Sequence, residues 1–229
     1  MPERGAAKPD LRRRKISAVV FDMDGVIVDS ELQWKLAEKE FLLHRVPHWR
    51  PEDYRRVTGL SPAALYDFLN GAYGLAESRE SFLEDCGRLA ETIYKTRVSL
   101  AEGFLDAVGR VKKSRKPAGI ASSSPRNWIE MVLERFNLAP WFDAVVSADD
   151  VGGRTKPLPD SYLAVCARLG AKPEFCAAVE DSRVGVLAAK SAGLFCLALR
   201  NGANDDQDLS AADAEITSVG DVPEILGIS

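Results

Sequence analysis

Cysteine and histidine are scarce in this sequence, which limits the chemistry that it can support. The 229 residues include only two histidines, His44 and His48, which have no acidic or cysteine partner at metal-ligand spacing. A Ser-His-Asp mechanism therefore has few candidates. The four cysteines contain no CxxC pair, and a chain of this length does not depend on disulfides, so we expect small buried thiols. These cysteines are Cys86, Cys166, Cys176 and Cys196.

Long apolar runs are also missing. None approaches the roughly 20 residues that span a bilayer. The basic stretch Arg12 to Lys15, followed by the apolar run Ile16 to Phe21, resembles a secretory signal. However, Asp22 and Asp24 interrupt the run and no small-residue cleavage site follows. We therefore expect residues 1–15 to be a frayed N-terminus, and the protein to be soluble and cytoplasmic with no membrane partner.

A large excess of one charge is absent as well. The chain has 30 Lys+Arg against 34 Asp+Glu, a net charge of −4, so its surface offers no general attraction for nucleic acid. Hydrophobic residues make up 46% and charged residues 28%, which is close to the average of soluble globular proteins. This composition excludes intrinsic disorder and collagen-like structure.

Short apolar runs alternate with segments of helical periodicity along most of the chain. This alternation predicts an α/β fold, in which helices cover both faces of a parallel sheet. In the last of these units, Ser182 is a plausible N-cap for a helix over Arg183 to Ser191, with Gly193 ending it in a left-handed conformation. The predicted strands are Ser17 to Phe21, Ala118 to Ala121, Ala144 to Val146, Cys176 to Val179 and Phe195 to Leu199.

One stretch departs from this alternation. Between about residues 30 and 100 there is no convincing strand, but helical patterns cover Leu32 to Leu43, Pro62 to Leu69 and Ser78 to Tyr94. We expect a helical cap domain over 30–100, inserted into a Rossmann-like core formed by 16–29 and 101–229.

Two aspartates directly follow the first predicted strand, in the sequence FDMDGV. Asp22 and Asp24 would project from the carboxyl end of a parallel strand, where open α/β sheets bind ligands. Like charges this close favour a cation between or beside them. Gly25 would let the backbone turn sharply. Read alone, the string is equally consistent with an acidic turn.

Three further polar motifs follow later predicted strands. The hydroxyls of Ser122 and Ser123 lie where a helix begins and could bind an anion, although serine runs at such positions are usually caps. Lys156, between a glycine-rich turn and a proline, could hold a phosphate, or could be a solvated loop lysine. Glu180 and Asp181 offer the oxygen ligands that suit Mg²⁺, or an ordinary helix start.

Taken together and in order, the motifs DxDGVxxDS, ASSSP, KPxPDxY and EDSxxGxxAAxxAG resemble those of the haloacid dehalogenase superfamily. The chain is most similar to the β-phosphoglucomutase-like phosphatase branch, which has a helical cap after the first motif. The resemblance extends from Ile16 to about Gly220. It implies a central strand bearing Asp22, flanked by the strands that end at Ser122 and Glu180.

The resemblance also implies roles for individual residues. Asp22 matches the nucleophile that forms an aspartyl-phosphate, and Asp24 matches the general acid and base. Ser122, with Ser123 beside it, and Lys156 match the phosphate-binding positions. The Mg²⁺ site would be formed by Asp181 with Glu180 assisting, and completed by the Asp22 carboxylate and the Asp24 backbone carbonyl.

Asp24 distinguishes between the reactions of this superfamily. The dehalogenases have no carboxylate at this position because halide leaves without a proton, whereas an alkoxide needs one. The resemblance therefore implies a phosphomonoester phosphatase that acts on a small phosphorylated metabolite, and we expect this metabolite to be a sugar phosphate. We expect a monomer or weak homodimer.

A phosphosugar mutase is the main alternative. The β-phosphoglucomutases carry a cap histidine and a cap arginine at positions that correspond here to Trp34 and Pro62, and both departures disfavour a mutase. Candidate specificity residues in the cap are Trp34, Arg56, Gly59 and Leu60. Alternatives of another class are a phospho-accepting signalling module, which would be about half this length, and a catalytically silent binding protein.

Overall fold

A computed structural model describes residues 15–57 and 60–228. Most of the expected frayed N-terminus therefore lies outside the described residues. The described chain forms a six-stranded parallel sheet in the order β3-β2-β1-β4-β5-β6. The strands are β1 Ala18–Phe21, β2 Ala118–Ala121, β3 Ala144–Val146, β4 Cys176–Glu180, β5 Phe195–Leu199 and β6 Ala214–Ile216.

The predicted α/β class and the five predicted strands are confirmed. The strand that bears Asp22 lies between β2 and β4, as the resemblance implied. The edge strand β6 was not predicted. It spans three residues, one of which is the exposed Glu215, so it forms no continuous apolar run. Its pairing with β5 is a tertiary contact that local sequence does not specify.

Helices cover both faces of the sheet, because the side chains of each strand alternate between the two faces. On β1, Val19 and Phe21 pack into one hydrophobic cluster, while Ala18 and Val20 pack into the other. The first cluster includes residues of α5, α6 and α9, and the second includes residues of α7 and α8. These helices are α5 Phe104–Lys113, α6 Arg126–Arg135, α7 Asp160–Arg168, α8 Arg183–Ser191 and α9 Val222–Ile225.

The cap of α8 follows the prediction from the sequence. The Ser182 hydroxyl accepts a hydrogen bond from the Gly185 N–H at 3.1 Å, which makes Ser182 the N-cap. Gly193 has a φ of +86°, in the left-handed region. Both ends of this helix are therefore determined by its own sequence.

Between β1 and β2 the chain is helical, as predicted. The serines Ser61 and Ser78 cap α3 and α4 by accepting hydrogen bonds from backbone N–H groups, and Gly74 ends α3 with a φ of +68°. We refer to residues 30–97 as the helical insert. It comprises α1 Ser30–Arg45, α2 Tyr54–Val57, α3 Pro62–Tyr73, α4 Arg79–Thr92 and a π-helical segment, Ile93–Arg97.

The two chain segments that connect the insert to the sheet lie side by side. Val28 and Leu100 form an antiparallel bridge, and the Asp29 N–H donates to the Ser99 carbonyl at 3.0 Å. The Ala101 N–H donates to the Ile27 carbonyl at 2.9 Å. The insert therefore starts and ends at one point beside the carboxyl end of β1. Its definition as a separate cap domain over 30–100 stays a prediction.

Among the described residues, no helix combines the length and the apolar character that crossing a membrane requires.

Candidate active site

Strand register places Asp22 and Glu180 next to each other. Phe21 of β1 is paired with Val179 of β4, and the Asp22 N–H donates to the Val179 carbonyl at 3.0 Å. The next residue on each strand is therefore a carboxylate at the same edge of the sheet. Both are buried, with Asp22 7% and Glu180 0% exposed. Their mutual repulsion needs a compensating positive charge.

Lys156 supplies this charge. Its Nζ lies 2.5 Å from Asp22 Oδ1 and 2.5 Å from Glu180 Oε1, and the side chain is itself buried. Burial disfavours the ammonium, but the two carboxylates outweigh this effect and raise the pKa of Lys156. Burial raises the pKa of Asp22 to about 8, against the opposing effect of Lys156. Lys156 therefore stays charged. The pKa of Asp22 lies close enough to neutral pH for its carboxyl group to bind a proton.

Glu180 is held by hydroxyl groups as well as by Lys156. The Tyr162 hydroxyl donates to Glu180 Oε1 at 2.5 Å, and the Ser182 hydroxyl donates to Oε2 at 3.3 Å. A Cβ on Gly185 would lie 1.9 Å from Glu180 Oε2, so only glycine leaves room for this carboxylate. Both Glu180 oxygens therefore have protein partners.

Asp181 lies close to the turn that follows β1. A Cβ on Gly25 would lie 1.8 Å from Asp181 Oδ2, and Gly25 has a φ of +77°, so glycine is required twice over. The Asn201 amide donates to Asp181 Oδ2 at 3.0 Å and to the Gly25 carbonyl at 3.1 Å. The Asn204 amide donates to the Asp181 carbonyl at 2.6 Å.

Three carboxylates form a cluster with metal-binding geometry. One oxygen each from Asp22, Glu180 and Asp181 lie within 4.8 Å of one another, and all three residues are buried. Hard carboxylate oxygens in this number suit Mg²⁺, which usually keeps water and substrate oxygens as further ligands. The donor set therefore fits the expected metal, with Glu180 better placed to support the site because its oxygens already accept hydrogen bonds.

Asp24 has different partners from Asp22. Its Oδ1 accepts hydrogen bonds from the Ser30 hydroxyl at 2.5 Å and the Tyr94 hydroxyl at 2.7 Å, and its Oδ2 accepts one from the Ser124 hydroxyl at 3.0 Å. Burial raises the pKa of Asp24 above its ordinary value, although these hydroxyls oppose the rise. A carboxyl group that retains its proton at higher pH is suited to donate it.

The serines after β2 face the same cavity. Ser122 is buried, and its Oγ accepts a hydrogen bond from the Ser124 N–H at 3.0 Å. The buried Ser123 Oγ has no hydrogen-bond partner within residues 15–57 and 60–228. Since buried hydroxyls are usually paired, Ser123 is available to bind a ligand atom.

A cavity of about 150 Å³ joins these residues to the helical insert. The sheet contributes Asp22, Asp24, Lys156 and Asp181 to its wall, together with the three serines after β2. The insert contributes mainly apolar and aromatic side chains, among them Trp34, Phe41, Leu60, Pro62, Leu65 and Leu89. The insert also contributes the charged Lys35, so the cavity has an ionic half and a mainly apolar half.

The candidate specificity residues of the insert differ in their placement. Trp34 and Leu60 line the cavity. Arg56 is not among the lining residues; its guanidinium lies 3.0 Å from Asp53 Oδ1 and over the Phe68 ring. Gly59 lies outside the described residues.

Several residues of the site were not predicted from the sequence. Tyr94 was assigned only to the end of a helix, yet its hydroxyl contacts Asp24. Asn201 and Asn204 follow β5, where no motif indicated a function. Tyr162 belongs to the KPxPDxY motif, and this spacing was the one available signal for its contact with Glu180.

Comparison with known proteins identifies the relatives of this chain. A family model of haloacid dehalogenase-like hydrolases matches residues 16–193. Hexitol phosphatase B of Escherichia coli (strain K12) is 32% identical over 209 residues, which cover 90% of this chain and 94% of that protein. A phosphorylated carbohydrates phosphatase of Thermotoga maritima is 31% identical, covering 78% of this chain and 82% of the relative.

Solved structures show the same fold. CbbY from Rhodobacter sphaeroides, in complex with phosphate, superposes with a TM-score of 0.78 at 23% identity, covering 90% of this chain and 96% of that one. The extent of the family match, together with the identity to the first relative, settles the classification. The chain belongs to the haloacid dehalogenase-like hydrolase family.

Proposed function

We propose that this protein is a Mg²⁺-dependent phosphatase that hydrolyses a small phosphomonoester, with sugar or polyol phosphates as the substrate class. One observation carries this proposal. Asp22 and Asp24 line the same cavity two residues apart, but Asp22 is paired with an ammonium and Asp24 with three hydroxyls. These different environments suit one carboxylate to attack phosphorus and the other to handle protons.

In the first step, an Asp22 oxygen attacks the phosphorus atom of the bound ester. A bond forms between that oxygen and phosphorus, and the bond from phosphorus to the substrate oxygen breaks. The electron pair of the broken bond goes to the substrate oxygen, which takes a proton from Asp24. The alcohol leaves, and Asp22 carries the phosphoryl group.

In the second step, water attacks the phosphorus atom of the aspartyl-phosphate. Asp24, now a carboxylate, takes a proton from this water. The bond between Asp22 and phosphorus breaks, and its electron pair returns to the Asp22 carboxylate. Inorganic phosphate leaves, and both aspartates recover their starting protonation.

Lys156, Ser122 and Ser123 are suited to hold the phosphoryl group. The buried ammonium of Lys156 offsets the repulsion between the Asp22 carboxylate and an anionic substrate. The Ser123 hydroxyl, for which the described part of the chain offers no hydrogen-bond partner, can donate to a phosphoryl oxygen. The Ser122 hydroxyl accepts from a backbone N–H, which leaves its own proton free to be donated.

Mg²⁺ would be held by Asp22 and Asp181, with Glu180 supporting them and the Asp24 backbone carbonyl as a further ligand. When bound, the ion neutralises negative charge on the phosphoryl group and on the carboxylates. Asn201 supports this arrangement, because its amide fixes Asp181 and the turn at Gly25 together.

The helical insert, as a cap over residues 30–100, would select the leaving group. It provides the apolar half of the cavity, which lies opposite the ionised groups. The names of the relatives, a hexitol phosphatase and a phosphatase of phosphorylated carbohydrates, favour sugar or polyol phosphates as substrates.

A phosphatase screen tests this proposal. Purified protein is incubated with p-nitrophenyl phosphate and with a panel of hexitol phosphates, sugar phosphates and nucleotides, each with Mg²⁺ and with EDTA. We expect release of inorganic phosphate that requires Mg²⁺ and that is fastest with a sugar or polyol phosphate. Turnover that chelation leaves unchanged would contradict the metal site.

The same screen includes the alternatives. Glucose 1-phosphate with a bisphosphate primer tests for a mutase, which would yield an isomeric phosphate instead of inorganic phosphate. A single phosphorylation of Asp22 without turnover would indicate a signalling module, and no reaction with any ester would indicate a silent binding protein.

A further inference from the structure

We propose that Tyr94, oriented by Trp34, is a positioning residue for the general acid, and that the two residues direct the transferable proton of Asp24 to its Oδ2 atom. This inference rests on the proposed function, since it assigns a proton donor to the phosphatase reaction. Neither residue was assigned this role from the sequence: Tyr94 carried no assignment, and Trp34 was a candidate specificity residue.

The geometry around the Tyr94 hydroxyl is directional. The Trp34 indole N–H lies 3.1 Å from the Tyr94 oxygen, and this oxygen lies 2.7 Å from Asp24 Oδ1. An indole N–H can only donate a hydrogen bond, so the Tyr94 oxygen must accept from Trp34. The single phenolic proton is then directed at Asp24. Trp34 and Tyr94 thus form a one-way series of hydrogen bonds that ends on the carboxylate.

The two oxygens of Asp24 are therefore unequal. Oδ1 accepts two short hydrogen bonds, from Tyr94 at 2.7 Å and Ser30 at 2.5 Å, whereas Oδ2 accepts one from Ser124 at 3.0 Å. A proton bound to Oδ1 would compete with the Ser30 and Tyr94 hydroxyls for the lone pairs of that oxygen. The proton of a neutral Asp24 is favoured on Oδ2, and from there it passes to the substrate oxygen as that oxygen leaves phosphorus.

Packing holds Tyr94 rigidly in this position. Its ring packs against two indoles that are stacked on each other, with centroids 5.9 Å from Trp34 and 5.8 Å from Trp128, and the side chain is fully buried. Its backbone carbonyl accepts a hydrogen bond from the Arg135 guanidinium at 2.7 Å. Arg135 and Trp128 belong to α6, beside the sheet, so Tyr94 is braced by the core and not only by the insert.

The two residues that donate to Asp24 Oδ1 lie at opposite ends of the insert sequence. Ser30 is the first residue of the insert, and Tyr94 lies in its last, π-helical segment. A residue near each end of the insert therefore donates a hydrogen bond to the same oxygen, Asp24 Oδ1.

The test compares two aryl phosphates of similar shape. Phenolate is a much more basic leaving group than p-nitrophenolate, so phenyl phosphate depends more on protonation by Asp24. The measured quantity is kcat/KM, which reports the steps up to release of the phenol. For Tyr94→Phe we expect kcat/KM to fall about tenfold with phenyl phosphate and less than about threefold with p-nitrophenyl phosphate.

A second variant and a control complete the experiment. Trp34→Phe removes the indole N–H donor together with part of the stacking on Trp128, and we expect the same selective loss with phenyl phosphate, at about threefold. Tyr66→Phe is the control, because its hydroxyl donates to the Glu77 carbonyl inside the insert, and both rates should stay at wild-type values. Thermal unfolding of each variant establishes that it is folded.

The outcomes separate this inference from the function on which it rests. Equal losses with both substrates in both variants would overturn the positioning role, because a structural defect does not sense leaving-group basicity. If Tyr94→Phe fails to fold, Trp34→Phe decides the question in the same way. If the wild type hydrolyses neither ester, the proposed function itself fails.

Discussion

The two halves of the cavity differ in the way that their side chains are held. In the sheet half, Asp22, Lys156 and Glu180 form buried ionic contacts of 2.5 Å. In the insert half, residues such as Leu60, Leu65 and Leu89 contribute apolar surface. Ionic contacts fix atoms within a few tenths of an ångström, whereas apolar walls fix only shape. On this basis we propose that the sheet performs the reaction and that the insert selects the substrate.

The boundary between the halves lies at Asp24. Its carboxylate accepts hydrogen bonds from Ser124 of the sheet half and from Ser30 and Tyr94 of the insert. In the proposed mechanism, Asp24 would couple substrate selection by the insert to the reaction at the sheet. Substitutions on either side should have separable effects, and the following predictions test this separation.

The largest effect is expected from the sheet half. Asp22→Asn keeps the shape of the side chain but removes the attacking carboxylate, so kcat/KM for p-nitrophenyl phosphate should fall by about 10⁴-fold or more. The exposed Asp221→Asn is the control and should retain wild-type activity. Mg²⁺-dependent turnover near the wild-type rate in Asp22→Asn would rule out the nucleophile assignment.

Lys156→Met tests the electrostatic balance of the same half. Without the ammonium, Asp22 and Glu180 face each other in a buried site, and we expect the free energy of unfolding to fall by about 3–5 kcal/mol. Urea denaturation in EDTA measures this change.

The matched control for this substitution is Lys190→Met. Lys190 Nζ lies 2.6 Å from Asp213 Oδ2, but its side chain is 32% exposed, so we expect a loss of only about 0–1 kcal/mol. Similar losses in the two variants would show that burial of the Lys156 contacts carries no special weight.

The pH dependence of metal binding tests the state of Asp22. Because burial raises its pKa to about 8, a proton competes with Mg²⁺ below that pH, and metal affinity must increase as the pH rises. Calorimetric titration at pH 6, 7 and 8 measures the apparent Kd for Mg²⁺. Below the pKa of Asp22, this Kd should decrease by about tenfold for each unit by which the pH rises. Asp22→Asn should bind more weakly and without this dependence; an unchanging wild-type Kd would contradict the prediction.

The smallest effect is expected from the insert half. Leu60→Ala widens the apolar wall, so it should change the ratio of kcat/KM between two sugar phosphates by about tenfold, while kcat with p-nitrophenyl phosphate changes less than about threefold. Leu43→Ala, at a residue that is 47% exposed on α1, is the control and should change neither. A large loss of kcat with p-nitrophenyl phosphate in Leu60→Ala would contradict the prediction that the insert half affects only substrate selection.

Local sequence was sufficient to predict five of the six strands and the polar motifs that follow four of them. Each of the five predicted strands was a short apolar run, and each motif had to lie at the carboxyl edge of a parallel sheet. Asp22, Ser122, Lys156 and Glu180 could therefore be grouped before their contacts were known. Two glycines in the same motifs make room for carboxylates, Gly25 for Asp181 and Gly185 for Glu180.

The insert half was less predictable. Helical periodicity located its helices, but it does not specify which helical face lines a cavity. Of the four candidate residues there, Trp34 and Leu60 line the cavity, Arg56 does not, and Gly59 lies outside the described residues. The contact between Tyr94 and Asp24 joins residues 70 positions apart in the sequence. No short-range pattern encodes such a contact.

The sequence by itself determined the α/β class, the order of the motifs and the two aspartates after β1, because apolar periodicity and residue chemistry are local properties. Only the tertiary structure decided which oxygen of Asp24 accepts hydrogen bonds from Ser30 and Tyr94. It also decided that the Asn201 amide donates to Asp181. These contacts depend on how distant elements pack, and packing is decided by the shape of the whole chain.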